Sequence, residues 1–141
     1  MLILFTLFTL LTSSFSISSF KYSSCGKITD IAQNIVLDVD PILPQADYTL
    51  FLNADLSKEV IKGTSKYTIT YNFIPLTPSV NDLCTEIAAS NITCPLNNHV
   101  SSQSKGSIPS GLSGTTTIKN EWFNNAIPEE RILCMLFTIK T

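Results

Sequence analysis

Apolar and polar side chains alternate along several separate segments of the chain, and this period of two constrains the fold more than any other feature. In 27–44, the side chains of Ile35, Leu37 and Val39 share one face, because successive strand residues point to opposite faces. Four further segments alternate similarly or have the β-branched and aromatic composition that favours strands: 46–56, 59–76, 115–123 and 131–140. Without a clear helical period, the pattern predicts an all-β antiparallel sandwich.

Proline and glycine divide these segments. Pro41 and Pro44 are expected to end the first strand, and Gly63 predicts a bulge or bend within 59–76. Proline, asparagine and serine dominate 75–109, so this stretch is expected to be a loop with at most a short strand at 99–102.

The amino terminus is typical of a signal peptide. Residues 1–19 carry no charged side chain, and the apolar run Met1–Leu11 is shorter than the roughly 20 residues that span a bilayer. No Lys or Arg precedes that run, and a buried amino-terminal helix is the competing interpretation. We expect a signal peptide over 1–19, a single domain over 20–141, and delivery outside the cell or into the endolysosomal lumen.

All four cysteines lie beyond this segment. In a secreted chain an even count predicts two disulfides, and the residues alone leave three pairings open. The alternative is a structural zinc site, which usually has two to four residues between paired cysteines. Nine residues separate Cys84 from Cys94, so the spacing favours disulfides and predicts no metal.

Charge and residue types argue against several function classes. Nine basic and eleven acidic residues give a net charge of −2, and the lysines are scattered, which predicts no nucleic-acid partner. The single histidine, His99, lies in a polar stretch, and Gly111-Leu-Ser113-Gly114 is one residue short of the Gly-x-Ser-x-Gly elbow. Asp38 and Asp40 alternate with apolar residues and are expected on a solvated face. We therefore predict a protein that is not an enzyme and needs no cofactor, with an unrecognised hydrolase as the least favoured alternative.

Two surface features have both a functional and an ordinary interpretation. Asn91-Ile-Thr93 is an N-glycosylation sequon directly before Cys94, which fits secretion although the tripeptide is often unused. Five lysines either meet a lipid headgroup or an anionic membrane, or are simply solvated: Lys58, Lys62, Lys66, Lys105 and Lys119. Large apolar residues also occupy both faces of some strands, as in Leu50-Phe51-Leu52, so this surface must meet a filled core, a partner chain or a bound lipid.

Taken in order, short motifs along the whole of 20–141 resemble the ML lipid-recognition family. They are Phe20-Lys-Tyr-Ser-Ser-Cys25-Gly26, Ile35-Val-Leu-Asp-Val39, Tyr48-Thr-Leu-Phe-Leu, Val60-Ile-Lys-Gly63, Cys84, Thr93-Cys94-Pro95, Ile108-Pro109, Ser113-Gly114-Thr-Thr-Thr-Ile118, Glu121-Trp122 and Ile132-Leu-Cys134. Many sterol-carrying members have a further cysteine pair after the first strand, where this chain has Asp40-Pro-Ile-Leu-Pro44. The resemblance therefore implies a lipid carrier in general and not a sterol carrier in particular.

This resemblance implies an immunoglobulin-like sandwich of two sheets with disulfides Cys25–Cys134 and Cys84–Cys94. It further implies lipid binding between the sheets and transfer of a sterol, phosphatidylinositol or phosphatidylglycerol between membranes. We expect a monomer that touches membranes transiently, and the alternative is a recognition module that binds lipid or protein through its apolar surface. By position, the residues expected to line the lipid pocket are Val60, Tyr71, Phe73, Ile108, Pro109, Ile118, Trp122, Met135 and Phe137.

Overall fold

The computed structural model describes residues 19–40, 47–107 and 113–140, which form nine strands and one short helix. The expected signal peptide lies outside the described residues except for Ser19, at which β1 begins. The elements in chain order are β1 (Ser19–Ser24), β2 (Ala32–Asp40), β3 (Asp47–Leu56), β4 (Gly63–Tyr71), β5 (Ile74–Pro75), β6 (Ser79–Asp82), α1 (Leu83–Ala88), β7 (His99–Ser107), β8 (Thr115–Asn124) and β9 (Glu130–Lys140).

The strands form two antiparallel sheets, which confirms the predicted sandwich. One sheet has six strands in the order β1-β9-β8-β4-β5, with β6 also pairing with β4. The other has three strands in the order β2-β3-β7. Gly63 pairs with Asn124 and Tyr71 pairs with Thr116, so these two pairs mark opposite ends of the larger sheet.

Two disulfides hold this domain together, and both predicted pairings are confirmed. Cys25–Cys134 joins the chain after β1 to β9 across 109 positions, and Cys84–Cys94 ties α1 to the segment that follows it. In the chain-entropy model a loop of about 100 residues corresponds to about 4.7 kcal/mol, a figure that depends on the model. The bond between the first and last strands is therefore the more stabilising of the two.

The core fills only one end of the sandwich. Ile31, Val60, Leu83 and Ile132 are all at most 1% exposed, and they cluster where β4 begins and β8 ends. Val60 forms an isolated bridge with Leu96, which brings the segment after the second disulfide onto this core.

Gly63 does not form the predicted bulge. It is the first residue of β4, where a Cβ would lie 2.6 Å from Leu83 Cδ2 and 2.8 Å from the Phe123 carbonyl oxygen. Glycine is needed there because helix α1 and strand β8 approach the backbone closely. The register shifts occur elsewhere, between Gln33 and Val36 and between Trp122 and Phe123.

The prediction of a loop over 75–109 was wrong in its extent. This stretch contains the last residue of β5, all of β6, the six-residue helix α1 and the nine-residue strand β7. The helix begins after Asp82, whose carboxylate accepts a hydrogen bond from the Thr85 amide at 2.9 Å and caps the first turn. Strand β7 forms because its backbone pairs with β3 along its whole length, from Asp47–Ser107 to Asp55–His99.

Candidate functional site

A cavity of about 1090 Å³, partly open to solvent, lies between the two sheets. Protein interiors are packed as densely as organic crystals, with few voids larger than a water molecule. A space of this size is therefore a candidate binding site. Its wall comes from β3 and β7 of the smaller sheet, from β1, β4, β8 and β9 of the larger sheet, and from α1 with the turn that follows it.

The floor of the cavity is the boundary of the filled core. Four apolar side chains belong both to the core cluster and to the cavity wall: Leu52, Ile87, Trp122 and Met135. Beyond them the wall continues towards the other end of the sheets through Leu50, Ile69, Ile118 and Ile139. The same alternating strands thus pack against protein at one end of the sandwich and leave a gap at the other.

Aromatic side chains close one flank of the cavity. The ring of Phe20 on β1 lies 6.5 Å from the rings of Tyr48 on β3 and Phe137 on β9, centroid to centroid. Such separations are typical of attractive aromatic pairs, and here they bridge the two sheets. Tyr48 also covers the backbone at Gly106, where a Cβ would lie 2.5 Å from the tyrosine ring. Burial raises the pKa of Tyr48, consistent with its place in the wall.

A polar network interrupts the apolar wall near α1. Glu86 accepts hydrogen bonds at Oε1 from Ser65 Oγ, at 3.2 Å, and from the Tyr67 hydroxyl. Ser65 accepts a bond from Asn120 Nδ2 at 2.9 Å, and Trp122 Nε1 donates to Asn120 Oδ1 at 3.0 Å. Burial and the neighbouring Glu86 carboxylate raise the pKa of Tyr67 well above its ordinary value, because both disfavour a tyrosinate. Tyr67 is therefore a neutral hydrogen-bond donor across the physiological range.

The structure brings together four of the predicted pocket residues. Ile118, Trp122, Met135 and Phe137 all lie on the cavity wall. Ile108 and Pro109 lie outside the described residues.

The other three predicted positions do not line the cavity. Val60 is fully buried in the core beside Leu96. The Tyr71 hydroxyl donates to the Ser113 carbonyl at 2.7 Å, at the far end of β4. Phe73 is not in the strand: Asn72 and Phe73 both have positive φ in the β4–β5 hairpin, and the Phe73 side chain is 88% exposed. The strand ends at Tyr71 and the left-handed turn at Asn72 and Phe73 reverses the chain, so the strand alternation does not reach Phe73.

Several wall residues had no functional signal in the sequence. Glu86 lies on helix α1, where a loop is predicted, and the polar strand β7 contributes Ser102 and Ser104. Lys105, one of the five lysines with a headgroup interpretation, also lies on the wall. The run Leu50-Phe51-Leu52, which has large apolar residues on both faces of the strand, does carry a signal, and all three residues line the cavity.

Other polar residues singled out in the sequence lie elsewhere. His99 begins β7 and its Nδ1 lies 2.9 Å from Asp55 Oδ1, with both side chains about half exposed and neither on the cavity wall. Hydrogen bonds from Asn34 and His99 lower the pKa of Asp55. Lys58 pairs with Glu130 at 2.7 Å on the surface. Asn91, the sequon asparagine, is exposed at the rim of the cavity.

The comparisons with known proteins agree with this geometry. No family model matches the chain. A curated relative, the putative phosphatidylglycerol/phosphatidylinositol transfer protein 3 of Dictyostelium discoideum, is 30% identical over 107 residues, which cover 74% of this chain and 61% of the relative. Together with the solved structures below, this similarity supports an ML lipid-recognition domain in the chain.

Solved structures share the fold of this chain at low sequence identity. Chicken MD-1, crystallised with lipid IVa, superimposes with a TM-score of 0.62 at 14% identity, over 86% of this chain and 88% of its own. A Niemann-Pick type C2 protein from the Japanese carpenter ant superimposes with a TM-score of 0.59 at 16% identity, over 84% of this chain and 96% of its own. The chain spans about three fifths of the length of the curated relative, 61%.

Proposed function

We propose that this ML domain binds one lipid, holds its apolar tail in the cavity between the sheets and transfers it between membranes. The observation that carries the proposal is the cavity of about 1090 Å³ above the floor of Leu52, Trp122 and Met135. Ligand pockets for small molecules usually measure roughly 300–1,000 Å³, so this space is large enough for an extended lipid tail.

The composition of the wall supports an apolar ligand. Removing a methylene group from water gains about 0.8 kcal/mol, so a tail of a dozen carbons gains roughly 10 kcal/mol, which is comparable with the free energy lost on association. The floor and the side walls near Ile69, Ile118 and Ile139 are hydrocarbon, whereas polar groups concentrate along α1 and β7. A lipid therefore fits with its tail against the larger sheet and its polar end towards α1 or β7.

The lipid class proposed is a phosphatidylglycerol, a phosphatidylinositol or a sterol. The name of the Dictyostelium relative refers to the first two, and chicken MD-1 holds a lipid in the same fold. Lys105, on the rim of the cavity, is placed to meet a phosphate. No enzymatic step is part of this proposal.

We place the protein outside the cell or in the endolysosomal lumen. Two disulfides between four cysteines are typical of oxidising compartments, and the exposed Asn91 is available for glycosylation. Within the described ranges, no helix has the length and hydrophobicity needed to cross a membrane. The working form proposed is a monomer.

Transient membrane contact is proposed at the β4–β5 hairpin. Phe73 is 88% and Ile74 is 63% exposed, and both follow directly from the strand that contributes Ile69 to the cavity wall. At about 3.4 Å per residue, Phe73 is within about 14 Å of Ile69. An apolar tip this close to the cavity would bring the lipid site to the bilayer surface.

Native mass spectrometry of protein purified from its own host tests the proposal, together with transfer of labelled lipid between vesicles. We expect a stoichiometric lipid adduct and faster transfer. Protein that carries no lipid and does not accelerate transfer would contradict the proposal, and a stable dimer with an empty, closed cavity would favour a protein-recognition module instead.

A further inference from the structure

Glu86 stands out within the cavity. Among the described residues of the wall it is the one carboxylate, set between hydrocarbon from Ile87 and the hydroxyls of Ser65 and Tyr67. A carboxylate is costly to place beside an apolar site unless hydrogen bonds satisfy it, and Ser65 and Tyr67 supply two such bonds.

The hydrogen bonds that reach Glu86 have a fixed direction. The indole N–H of Trp122 can only donate, so the Asn120 oxygen faces Trp122 and the Asn120 NH₂ faces Ser65. Ser65 Oγ accepts that bond, which leaves its hydrogen to be donated to Glu86 Oε1. The Tyr67 hydroxyl donates to the same oxygen. Two donors on β4 thus hold Oε1 in place, and Asn120 on β8 orients one of them.

The second carboxylate oxygen is left available. Oε2 receives no hydrogen bond from the part of the chain that the structure describes. No buried side-chain nitrogen or oxygen in that part lacks a partner, so Oε2 is accessible and not sealed in the wall. The result is an oriented anionic acceptor on the surface of the cavity.

We propose that Glu86 is a specificity-determining residue, whose accessible oxygen accepts a hydrogen bond from a hydroxyl group at the polar end of the bound lipid. The inference rests on the proposed function and adds the chemical class of the ligand. An ionised carboxylate accepts hydrogen bonds and cannot donate, so it favours a hydroxyl and repels a bare phosphate. A site built to bond a hydroxyl also rejects an analogue that lacks one.

Two sources supply such a hydroxyl: the glycerol or inositol headgroup of a phospholipid, and the hydroxyl of a sterol. The first experiment pairs phosphatidylglycerol with phosphatidic acid of the same acyl chains, and the second pairs a 3-hydroxysterol with its 3-ketone. Each equimolar pair is offered in vesicles, and native mass spectrometry gives the ratio of the two complexes. The pair that loads identifies the source of the hydroxyl.

Glu86→Gln is the decisive variant, because Ser65 and Tyr67 still donate to the retained oxygen. The amide then presents an NH₂ donor where Glu86 presents Oε2. We expect the wild-type preference for the hydroxyl lipid to be about tenfold, as a bond to a charged group implies, and to disappear or invert in the variant. Glu59→Gln is the matched control, an exposed carboxylate outside the cavity wall, and should keep the wild-type ratio.

Tyr67→Phe provides a second variant that leaves the charge in place. It removes one of the two donors that orient Oε1, so the preference should fall to a value between those of the wild type and Glu86→Gln. Lipid loading with equal ratios in the wild type and both variants would overturn the role of Glu86 and leave the proposed function standing. Failure of the wild type to load any of the four lipids would overturn both.

Discussion

Arg131 on β9 donates from Nε to both carboxylate oxygens of Asp30, at 3.0 and 3.2 Å, and so ties the segment before β2 to the larger sheet. The Asp30 side chain is 4% exposed and that of Arg131 is 16% exposed. Arg131 Nη1 also donates to Glu121 on β8 at 3.2 Å. The pair lies beside the Cys25–Cys134 bond, since Arg131 Nη2 donates to the Cys25 carbonyl.

Removing Asp30 should destabilise the fold. Asp30→Ala leaves Arg131 partly buried with only Glu121 as a charged partner, and breaking a buried pair costs about 3 kcal/mol or somewhat less where the cation retains some exposure. Urea unfolding at neutral pH measures this loss. Glu130→Ala is the control, because the Lys58–Glu130 pair is exposed and its removal should cost under about 1 kcal/mol. Equal losses in the two variants would contradict this account of Asp30.

Ile118 and Val60 should respond in opposite ways to a larger side chain. Ile118→Trp projects into the cavity, so we expect lipid affinity to fall by about tenfold or more with little loss of stability. Val60→Phe has no free space and should cost about 1–3 kcal/mol of unfolding free energy, while the folded fraction still binds lipid. Lipid titration and urea unfolding of both variants separate the two effects. If Val60→Phe loses lipid binding and keeps its stability, Val60 lines the lipid site and the assignment of Val60 to the filled core is wrong.

The strand periodicity was enough to predict the sandwich, because β2, β3, β4, β8 and β9 keep one face apolar over most of their length. Periodicity failed where pairing with a neighbouring strand, and not the residues of the segment itself, decides its structure. Strand β7 contains Ser101-Ser-Gln-Ser104, which has no apolar alternation, and is extended because β3 offers it a complete ladder. Helix α1 has six residues, too few for a helical period to show, although Asp82 and Thr85 form a recognisable cap.

The cavity itself cannot be read from the pattern of residues. Met135 and Leu133 both lie on the apolar face of β9, yet Met135 lines the cavity and Leu133 is buried in the filled core. An alternating strand has the same sequence whether a protein side chain or a lipid covers it. The distance between the sheets decides which, and that distance is set by contacts at the filled end and at the Phe20 flank.

Replacing the apolar tip of the β4–β5 hairpin should slow transfer without weakening binding. In Phe73→Ser/Ile74→Ser the exposed hydrocarbon is lost and the cavity is unchanged, so vesicle-to-vesicle transfer should fall severalfold while lipid titration in detergent-free buffer gives the wild-type stoichiometry. Ile127→Ser is the control, because Ile127 is also fully exposed but lies in the β8–β9 connection at the opposite end of the sheet. If the two variants slow transfer equally, the hairpin has no special role at the membrane.

The raised pKa of Tyr67 should make the stability of the domain decrease at alkaline pH. Burial, and then the Glu86 carboxylate, raise its pKa in the folded state above the ordinary value of 10.0. Because the pKa of Tyr67 is higher in the folded than in the unfolded state, the protonated hydroxyl contributes to stability. This contribution is fully present below pH 10.0 and is lost as the pH rises from there towards the folded pKa. Urea unfolding of the wild type should therefore show stability that declines above pH 10.0, and Tyr67→Phe should decline less. The variant keeps a smaller loss, because burial also raises the pKa of Tyr48. Tyrosinate absorbance gives an independent check. If the wild type shows one more tyrosine ionising near pH 10.0 than Tyr67→Phe does, the Tyr67 hydroxyl ionises normally and is not held by Glu86.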